Sequence, residues 1–345
     1  MKRLTIALAA LAASVAAHGS AGTRGMPAAP AEAPFSAAER SLTIAQLADA
    51  LAALYLRPDT GRRYAARLRT QLGDGAYDGL SDQKAFADKV TADLQAVSPD
   101  AHLRLLPNAA FQHPPETEGP KSGLPEGIEE MRMIGRVAYL RFNAFPHDPR
   151  TAPAARAFLL AHADAKAVIL DARPLPGGGI EVMDAILPLF YARRTIVLSL
   201  DTRAAADAES PFADGPTLVR RQGPAGYVTR DHIVTPDPAE TRLRQVPLFY
   251  LTSSRTASAG EHLALALKST GRATLIGETT RGAAHYGALV PVGSRLTAFV
   301  PVGRGYDPVT GWDWEGKGVA PHVAVPAARA LDEALRRIGE AANRP

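Results

Sequence analysis

Cysteine is absent from all 345 residues of the sequence. Without it, the chain can form no disulfide bond and has neither a thiolate zinc site nor a cysteine nucleophile. A strong charge imbalance is also absent, because the net charge is only +4 and no long basic run occurs. The sequence therefore gives no support to nucleic acid as a partner.

Motifs for nucleotides and metals are missing as well. The sequence has no G-K-[S/T] and no G-x-G-x-x-G motif, and no two histidines have the H-x-x-x-H spacing of a helical metal site. Beyond the N-terminal stretch, no segment is apolar and long enough to cross a bilayer. We therefore expect no cofactor, no metal and no stable membrane span once the N-terminal stretch is removed.

The N-terminal segment has the layout of a secretory signal peptide. In "MKRLTIALAALAASVAAHGSAG" two basic residues precede an apolar stretch that is too short for a stable membrane span. Cleavage after Ala17 or after Ala21 fits the preference for small residues. We assign residues 1–21 to the signal peptide and the Pro/Ala/Gly-rich residues 22–35 to a linker, and we expect an exported, periplasmic protein.

The rest has the composition of a globular protein, with 46% hydrophobic and 21% charged residues. Residues 36–106 contain three helical patterns joined by short turns, which predict a small helical bundle. In the first pattern the apolar residues near one face are Leu42, Ile44, Leu47, Leu51 and Leu54. Residues 107–127 are rich in proline and glycine and indicate a second linker.

Residues 128–345 alternate between strand and helix patterns. "RVAYLRFNAF", "AVILDAR" and "PLFYLTSS" predict strands, and the last two have the low polarity that a parallel sheet requires. Strand patterns return in "ALVPVGSRLTAFVPVG", and a last helix is predicted from Ala328. The predicted fold class is α/β: a helical bundle followed by an α/β domain with a largely parallel core sheet.

The stretch "LTSSRTASAGE" places Ser258 between a buried strand pattern and a helix. Ser258 could cap that helix, with Glu261 three residues later completing a capping box. It could instead be a nucleophile at a turn where backbone amides and the helix dipole stabilise an oxyanion. From this stretch alone the cap is favoured, because capping boxes are common and catalytic serines are rare.

A serine nucleophile needs a base, and the sequence offers nine histidines. His162 and His262 fall in helical patterns and are expected to be surface or packing residues. His102 differs, because it lies in a loop between the helical bundle and the α/β domain, where ligand clefts tend to occur. From position alone, an ordinary exposed loop histidine is the favoured interpretation.

Three glycine-bounded loops follow predicted strands. "LDARPLPGGGI" could turn backbone amides toward a substrate, could bind phosphate, or could be a tight turn without function. "GETTRGAAHYG" is the second loop, and "DWEGKGVAP", which contains Glu315, is the third. The residues alone leave these alternatives open.

Four motifs, "AVILDARPLPGGG", "LTSSRTASAGE", "GRATLIGETTRGAAH" and "TGWDWEGKGVAPHVAV", together resemble the tail-specific (C-terminal-processing) serine peptidase family. More narrowly, the chain resembles the branch related to the repeat modules of interphotoreceptor retinoid-binding protein. "DLQAVSPDAHLRLLP" and the helices before it are similar to the N-terminal part of that branch. The resemblance implies a domain related to the crotonase-like and caseinolytic-protease-like folds, and a polypeptide substrate.

The resemblance also implies catalytic roles. Ser258 corresponds to the nucleophile, but Ala283 follows Gly282 where some members have a lysine base. His102 and Glu315 occupy the positions that tricorn-like members use for a histidine base and a distant glutamate. Ser258 and His102 are then expected within, or one small rearrangement from, hydrogen-bond reach of roughly 3 Å.

Further positions in these loops would support that chemistry. The backbone amides of Ala259, Gly177 and Gly178 correspond to the oxyanion hole of the family. His285 lies in a loop that the resemblance puts near the cleft, so it is either a substrate-contacting residue or a packing residue. The two lysines nearest to the motif loops, Lys268 and Lys317, are expected on the surface.

Two departures from the family's sequence pattern bear on whether the chain is catalytically active. Leu175 stands where an asparagine is usual in the family, and Ala101 stands where tricorn-like members have a serine. No inserted PDZ-like domain is evident between the bundle and the α/β domain. A weak or inactive module that binds hydrophobic ligands therefore remains the alternative to a serine peptidase, and an esterase with the same triad is the third possibility. The sequence predicts no oligomeric state.

Overall fold

Helices and strands alternate along the chain much as the sequence patterns predict. The helices are α1 (Ala37–Leu54), α2 (Pro58–Gly73), α3 (Gln83–Val97), α4 (Thr151–Ala161), α5 (Glu181–Ile186), α6 (Ala259–Ser269) and α7 (Ala330–Ala342). The strands are β1 (Arg104–Pro107), β2 (Ile128–Ile134), β3 (Val137–Phe142), β4 (Ala167–Asp171), β5 (Thr195–Arg203), β6 (Leu218–Arg221), β7 (Tyr227–Val234), β8 (Leu248–Thr252), β9 (Thr274–Gly277), β10 (His285–Val292), β11 (Leu296–Tyr306) and β12 (Val323–Ala324).

These elements come from a computed structural model that describes residues 33–109 and 123–342. The predicted signal peptide at 1–21, nearly all of the predicted linker at 22–35, and most of the predicted linker at 107–127 lie outside the described residues. Among the described helices, none combines the length and the apolar character needed to cross a bilayer.

The first three helices form the predicted bundle. Side-chain caps fix two of the starts: Ser36 accepts from the amide of Glu39 before α1, and Asp82 accepts from the amide of Ala85 before α3. Pro58 begins α2, where its missing N–H costs nothing. The bundle packs with the β10–β11 hairpin in one hydrophobic cluster. The prediction that Leu42 lies on the buried face of α1 is wrong, because half of its surface is exposed.

A largely parallel sheet forms the centre of the α/β part, as predicted. Its strand order is β12-β9-β8-β4-β3-β2, and every neighbouring pair is parallel except β2 and β3. Strands β4 and β8 are buried along their whole length, which explains why they are hydrophobic up to their last residues, Asp171 and Thr252. The predicted fold class is thus confirmed.

A second sheet was not predicted. It has the order β1-β11-β5-β7-β6, with β10 also paired to β11, and its pairs are antiparallel. Residues of both sheets share the largest hydrophobic cluster together with α6. The loops that follow β4 and β8, at 172–180 and 253–258, leave the same edge of the parallel sheet and meet there.

Candidate active site

A cavity of about 430 Å³ lies where these loops meet. Its lining brings together His102, Gly178, the consecutive residues Ser258 and Ala259, and His285, which come from four separate segments of the chain. Five of the seven site residues chosen from the sequence therefore share one cavity. The remaining two are next to residues of the lining: Gly177 approaches Ser258, and Glu315 accepts from the amides of Ala284 and His285.

Ser258 is held in an unusual backbone conformation at the start of α6. Its φ is +50° and its ψ is −117°, and it is the one non-glycine residue with positive φ in the described ranges. Such a conformation is unfavourable for a residue with a Cβ, and it persists only where surrounding contacts impose it. The turn is a helix N-cap, and the conformation also points to a functional role for the serine.

Glu261 imposes part of this conformation. Its buried carboxylate accepts from the amide of Ser258 at 2.9 Å and from the amides of Gly282 and Ala283 at 2.6 and 2.8 Å. The hydroxyl of Thr280 donates to it at 2.6 Å. Burial raises the pKa of Glu261, and these hydrogen bonds oppose the rise. Sequence reasoning treated Glu261 only as a capping residue, whereas it joins the serine turn to the 280–283 loop.

Glu261→Gln is expected to lower the free energy of unfolding by about 2–4 kcal/mol. An amide group in either orientation turns an NH₂ toward a backbone N–H, which leaves that buried donor without an acceptor. Urea denaturation followed by circular dichroism measures the change. Glu340→Gln, at an exposed position of α7, is the matched control and should unfold like the wild type. A Glu261→Gln variant as stable as the control would contradict the bracing role.

Three backbone amides are available to stabilise an oxyanion. Within the described part of the chain, the N–H groups of Ala259, Gly177 and Gly178 have no hydrogen-bond acceptor. Both glycines have a φ of +135°, and a Cβ on Gly178 would lie 1.9 Å from the carbonyl oxygen of Phe145. A Cβ on Gly177 would lie 2.8 Å from the Cβ of Ser258. Only glycine fits this approach of the loop to Ser258.

Leu175, at the position where the family usually has an asparagine, is completely buried in the main hydrophobic cluster. Its carbonyl accepts from the amide of Ala257 at 3.0 Å. The backbone at this position therefore links the glycine loop to the serine turn. A leucine side chain supports that link by packing and adds no polar group to the site.

His102 lies against Phe299, with the ring centroids 5.5 Å apart and nearly parallel. Its Nδ1 is buried and has no hydrogen-bond partner among the described residues, whereas Nε2 is not among the buried atoms without a partner. Burial lowers the pKa of His102 to about 4, with Arg104, His285 and Arg281 adding to the effect and Asp100 opposing it. The ring is therefore neutral at pH 7. No hydrogen bond joins it to Ser258.

His285 is the first residue of β10, not a loop residue as predicted. Its ring is 98% buried, and Nδ1 lies 2.7 Å from Oδ2 of Asp100. Its Nε2 is buried without a partner among the described residues. A carboxylate that fixes one nitrogen of an imidazole is the arrangement that orients a catalytic histidine.

Asp100, which sequence reasoning missed, connects several parts of the site. Its Oδ1 accepts from the amides of His102 and Leu103, and its Oδ2 accepts from the hydroxyl of Tyr55 and from His285. Burial alone would raise the pKa of Asp100, but the hydrogen bond and the charge of His285 hold it below its usual value. The aspartate thus fixes the backbone that carries His102. In the sequence, the position of Asp100 two residues before His102 was the one feature that could have identified it as a site residue.

Glu315 acts on the backbone of the same loops. Its Oε1 accepts from the amide of Ala101 at 2.9 Å, and its Oε2 accepts from the amides of Ala284 and His285 at 2.7 and 3.1 Å. It forms no hydrogen bond with the ring of His102. Within the described residues, Glu315 therefore positions the two histidine-bearing segments without touching the His102 imidazole.

Asp100, His285 and Glu315 are close enough to suggest a metal site, because their ligand atoms lie within 4.8 Å of one another. The hydrogen bonds described above engage both oxygens of each carboxylate and Nδ1 of the histidine. A cation would have to displace these N–H and O–H donors, so the cluster fits a hydrogen-bond network better than a metal site.

The two lysines lie away from this arrangement. Lys317 is exposed, and neither it nor Lys268 lines the cavity. Lys268 instead donates to the carbonyl of Ala320 at 2.6 Å. His262, expected to be a surface or packing residue, is 95% buried and does line the cavity.

Sequence comparison gives a consistent assignment across the chain. The profile described as peptidase family S41 matches residues 136–325. The profile described as the N-terminal domain of this peptidase family in eukaryotic IRBP matches residues 37–138. A carboxyl-terminal-processing protease from a Picosynechococcus species is 28% identical over 191 residues. That match covers 55% of this chain and 39% of the relative, so the chain spans well under half of its length.

Solved structures with a similar fold include the photosystem II D1 C-terminal processing protease, with a TM-score of 0.54 and 16% identity over 87% of this chain and 97% of that one. A putative peptidase from Parabacteroides merdae has a TM-score of 0.61 and 12% identity, covering 87% and 96%. A lipoprotein from Streptococcus agalactiae has a TM-score of 0.56 and 13% identity, covering 93% and 99%. At these identities the likeness shows a shared fold.

Proposed function

Since the chain belongs to peptidase family S41, we propose that it is a serine peptidase in which Ser258 attacks the carbonyl carbon of a peptide bond. One observation carries this proposal: Ser258, in its strained turn, shares a cavity with His102, which is one of four histidines in the lining, and with amides that have no other acceptor. A serine that only capped a helix would need none of these neighbours.

His102 is the base in this proposal. In His285, Nδ1 is hydrogen-bonded to Asp100 and Nε2 is buried, whereas Nε2 of His102 is accessible beside the cavity. His102 takes the proton of the Ser258 hydroxyl while Oγ bonds to the carbonyl carbon. A small approach of the two side chains is required first, because they are not hydrogen-bonded to each other.

The remaining groups stabilise and position this step. The negative charge on the carbonyl oxygen is stabilised by the amides of Gly178 and Ala259, with Gly177 beside them. His102 then gives its proton to the leaving amine as the C–N bond breaks, and water releases the acyl group by the reverse sequence. Asp100 and Glu315 hold the backbone on which His102 sits. No lysine takes part.

The cellular setting follows from the N-terminal sequence. The basic start and short apolar stretch of residues 1–21 support export, and we place the mature enzyme in the periplasm. Unstructured polypeptides are the proposed substrate class, because the family is named for peptidases. Whether purified protein is labelled at Ser258 by an active-site-directed phosphonate tests the proposal directly.

The activity is expected to persist to unusually low pH. A base must be neutral, and with a pKa of about 4 His102 becomes protonated only near that pH, not near 6.5. The acid limb of kcat/KM should therefore lie near pH 4. In the unfolded chain the same histidine takes a proton near pH 6.5, so His102 reduces folding stability as the pH falls from about 6.5 to about 4.

A pH profile of kcat/KM for a peptide substrate measures this limb. Circular dichroism at each pH separates loss of activity from unfolding. An acid limb between pH 6 and 7 with the fold intact would assign the base to a histidine with an ordinary pKa and would contradict the role of His102.

A further inference from the structure

Two buried histidines and a partly exposed aspartate form a hydrogen-bonded chain that the catalytic steps do not use. His262 lines the cavity one helical turn after Ser258, and its Nε2 lies 2.9 Å from Nδ1 of His232. The Nε2 of His232 lies 2.8 Å from Oδ1 of Asp184. The second oxygen of Asp184 accepts from the hydroxyl of Thr217 at 3.0 Å. The chain runs from α5 through β7 to the cavity wall.

The direction of these hydrogen bonds follows from their chemistry. A carboxylate only accepts, so Asp184 receives the Nε2–H of His232. In the tautomer with a single proton, on Nε2, His232 has a lone pair on Nδ1 that accepts from the Nε2–H of His262. Burial, and then the neighbouring His232, lower the pKa of His262 well below its usual range, so its ring is neutral. Its Nδ1 consequently carries a lone pair and no proton.

That lone pair has no donor among the described residues. The His262 ring is 95% buried, and the surface that it keeps belongs to the cavity. His262 therefore presents one hydrogen-bond acceptor to a ligand. The carboxylate of Asp184, acting through His232, fixes both the tautomer and the orientation of that acceptor.

Six hydrophobic or aromatic side chains contribute to the same lining: Leu198, Leu200, Phe212, Leu218, Tyr286 and Trp314. The hydroxyl of Tyr286 is hydrogen-bonded to Thr202, and Nε1 of Trp314 is buried without a partner among the described residues. His232 is the register partner of Leu198 on one neighbouring strand and of Leu218 on the other, so its side chain lies between theirs on the same face of the sheet. A cavity of about 430 Å³ is large enough for a substrate side chain. An apolar side chain with one hydrogen-bond donor at its end would match both features.

We propose that the cavity selects tyrosine as the P1 residue of the substrate, with the phenol O–H donating to Nδ1 of His262. The P1 residue is the one whose carbonyl carbon bonds to Ser258. Its side chain branches from the next atom, so it is the substrate side chain closest to the cavity that Ser258 shares with His262. This assignment rests on the proposed attack by Ser258 and names the substrates that the peptidase prefers.

The first test needs no change in the protein. Three tripeptidyl diphenyl phosphonates that end in tyrosine, phenylalanine or O-methyltyrosine are compared by the rate at which they label Ser258. Tyrosine is expected to react at least about tenfold faster than the other two, because only its hydroxyl can donate to the buried acceptor. Equal rates for the three compounds would overturn the tyrosine pocket while leaving the serine peptidase intact.

A second test does not depend on catalysis. Binding of N-acetyltyrosine amide and N-acetylphenylalanine amide to Ser258→Ala is followed by NMR titration, and the tyrosine compound should bind about tenfold more tightly. This preference without any phosphonate labelling would contradict the proposed function but support the pocket. Equal affinities would overturn the pocket.

Variants at His262 show whether this side chain is responsible. His262→Phe should bring the tyrosine-to-phenylalanine ratio of labelling rates close to one, and His262→Gln, which keeps a donor and an acceptor, should retain part of the preference. His162→Gln, at the end of α4 and away from the cavity, is the matched control and should keep the full ratio. An unchanged ratio in a folded His262→Phe would overturn the assignment.

Discussion

Ser258→Ala is expected to lower kcat for unstructured peptides by about a thousandfold or more. The substitution deletes one oxygen and with it the covalent step, whereas the cavity that holds the substrate remains. Peptide affinity and the thermal unfolding temperature should therefore change little. Peptide turnover measured by mass spectrometry, together with circular dichroism, tests this expectation.

Ser254→Ala is the matched control, because Ser254 lies in the same turn but is exposed and away from the cavity. It should retain wild-type turnover. The alternative of a hydrophobic-ligand module predicts a different pattern, with no peptide turnover by either form and equal affinity of both for a fluorescent fatty or retinoid ligand. Wild-type protein that binds such a ligand, cleaves no peptide and resists labelling at Ser258 would rule out the peptidase.

The second large loss of activity is expected when the proposed base, His102, is replaced. His102→Ala should reduce kcat by about a hundredfold to ten-thousandfold, the usual contribution of a general base. Lys317→Ala should leave most of the activity, because that lysine is exposed and does not line the cavity. Steady-state kinetics of both variants on one peptide gives the comparison. A larger loss in Lys317→Ala would indicate a lysine-based mechanism.

His285→Ala separates positioning from proton transfer. Its hydrogen bond with Asp100 supports the backbone of His102, so its loss should reduce kcat less than His102→Ala does. Because His285 also helps to lower the pKa of His102, the acid limb of the pH profile should move toward higher pH in His285→Ala. A larger loss in His285→Ala than in His102→Ala, with the fold retained, would make His285 the base.

The sequence was sufficient for features that depend on local patterns. The three helices follow from their apolar spacing and from the start signals at Ser36, Pro58 and Asp82, and β4 and β8 follow from their hydrophobic runs. The site residues came from motifs at the ends of such elements, and five of them line one cavity. Predictions from such local patterns are reliable here because tertiary packing favours the same helices and strands that the local sequence favours.

Features that depend on distant pairing were missed. The antiparallel sheet joins β1 to β11 and β11 to β5, which lie far apart in the chain, and no local pattern encodes these partners. The contact between Asp100 and His285 arises from the same long-range pairing. His262 looked like an ordinary helical residue because its partners, His232 and Asp184, come from a strand and another helix.

The separation of the catalytic groups along the chain has a consequence for biogenesis. Asp100 contacts a residue 185 positions later, and the amide of Ala101 is bound by a carboxylate 214 positions later. Contacts between residues so far apart in the sequence form late in folding, because the entropy cost of closing a long loop must be met before the contact contributes stabilising free energy. A nascent chain therefore carries Ser258 without its base until folding is nearly complete. If the protein is a peptidase as proposed, it should therefore be inactive while it is being synthesised.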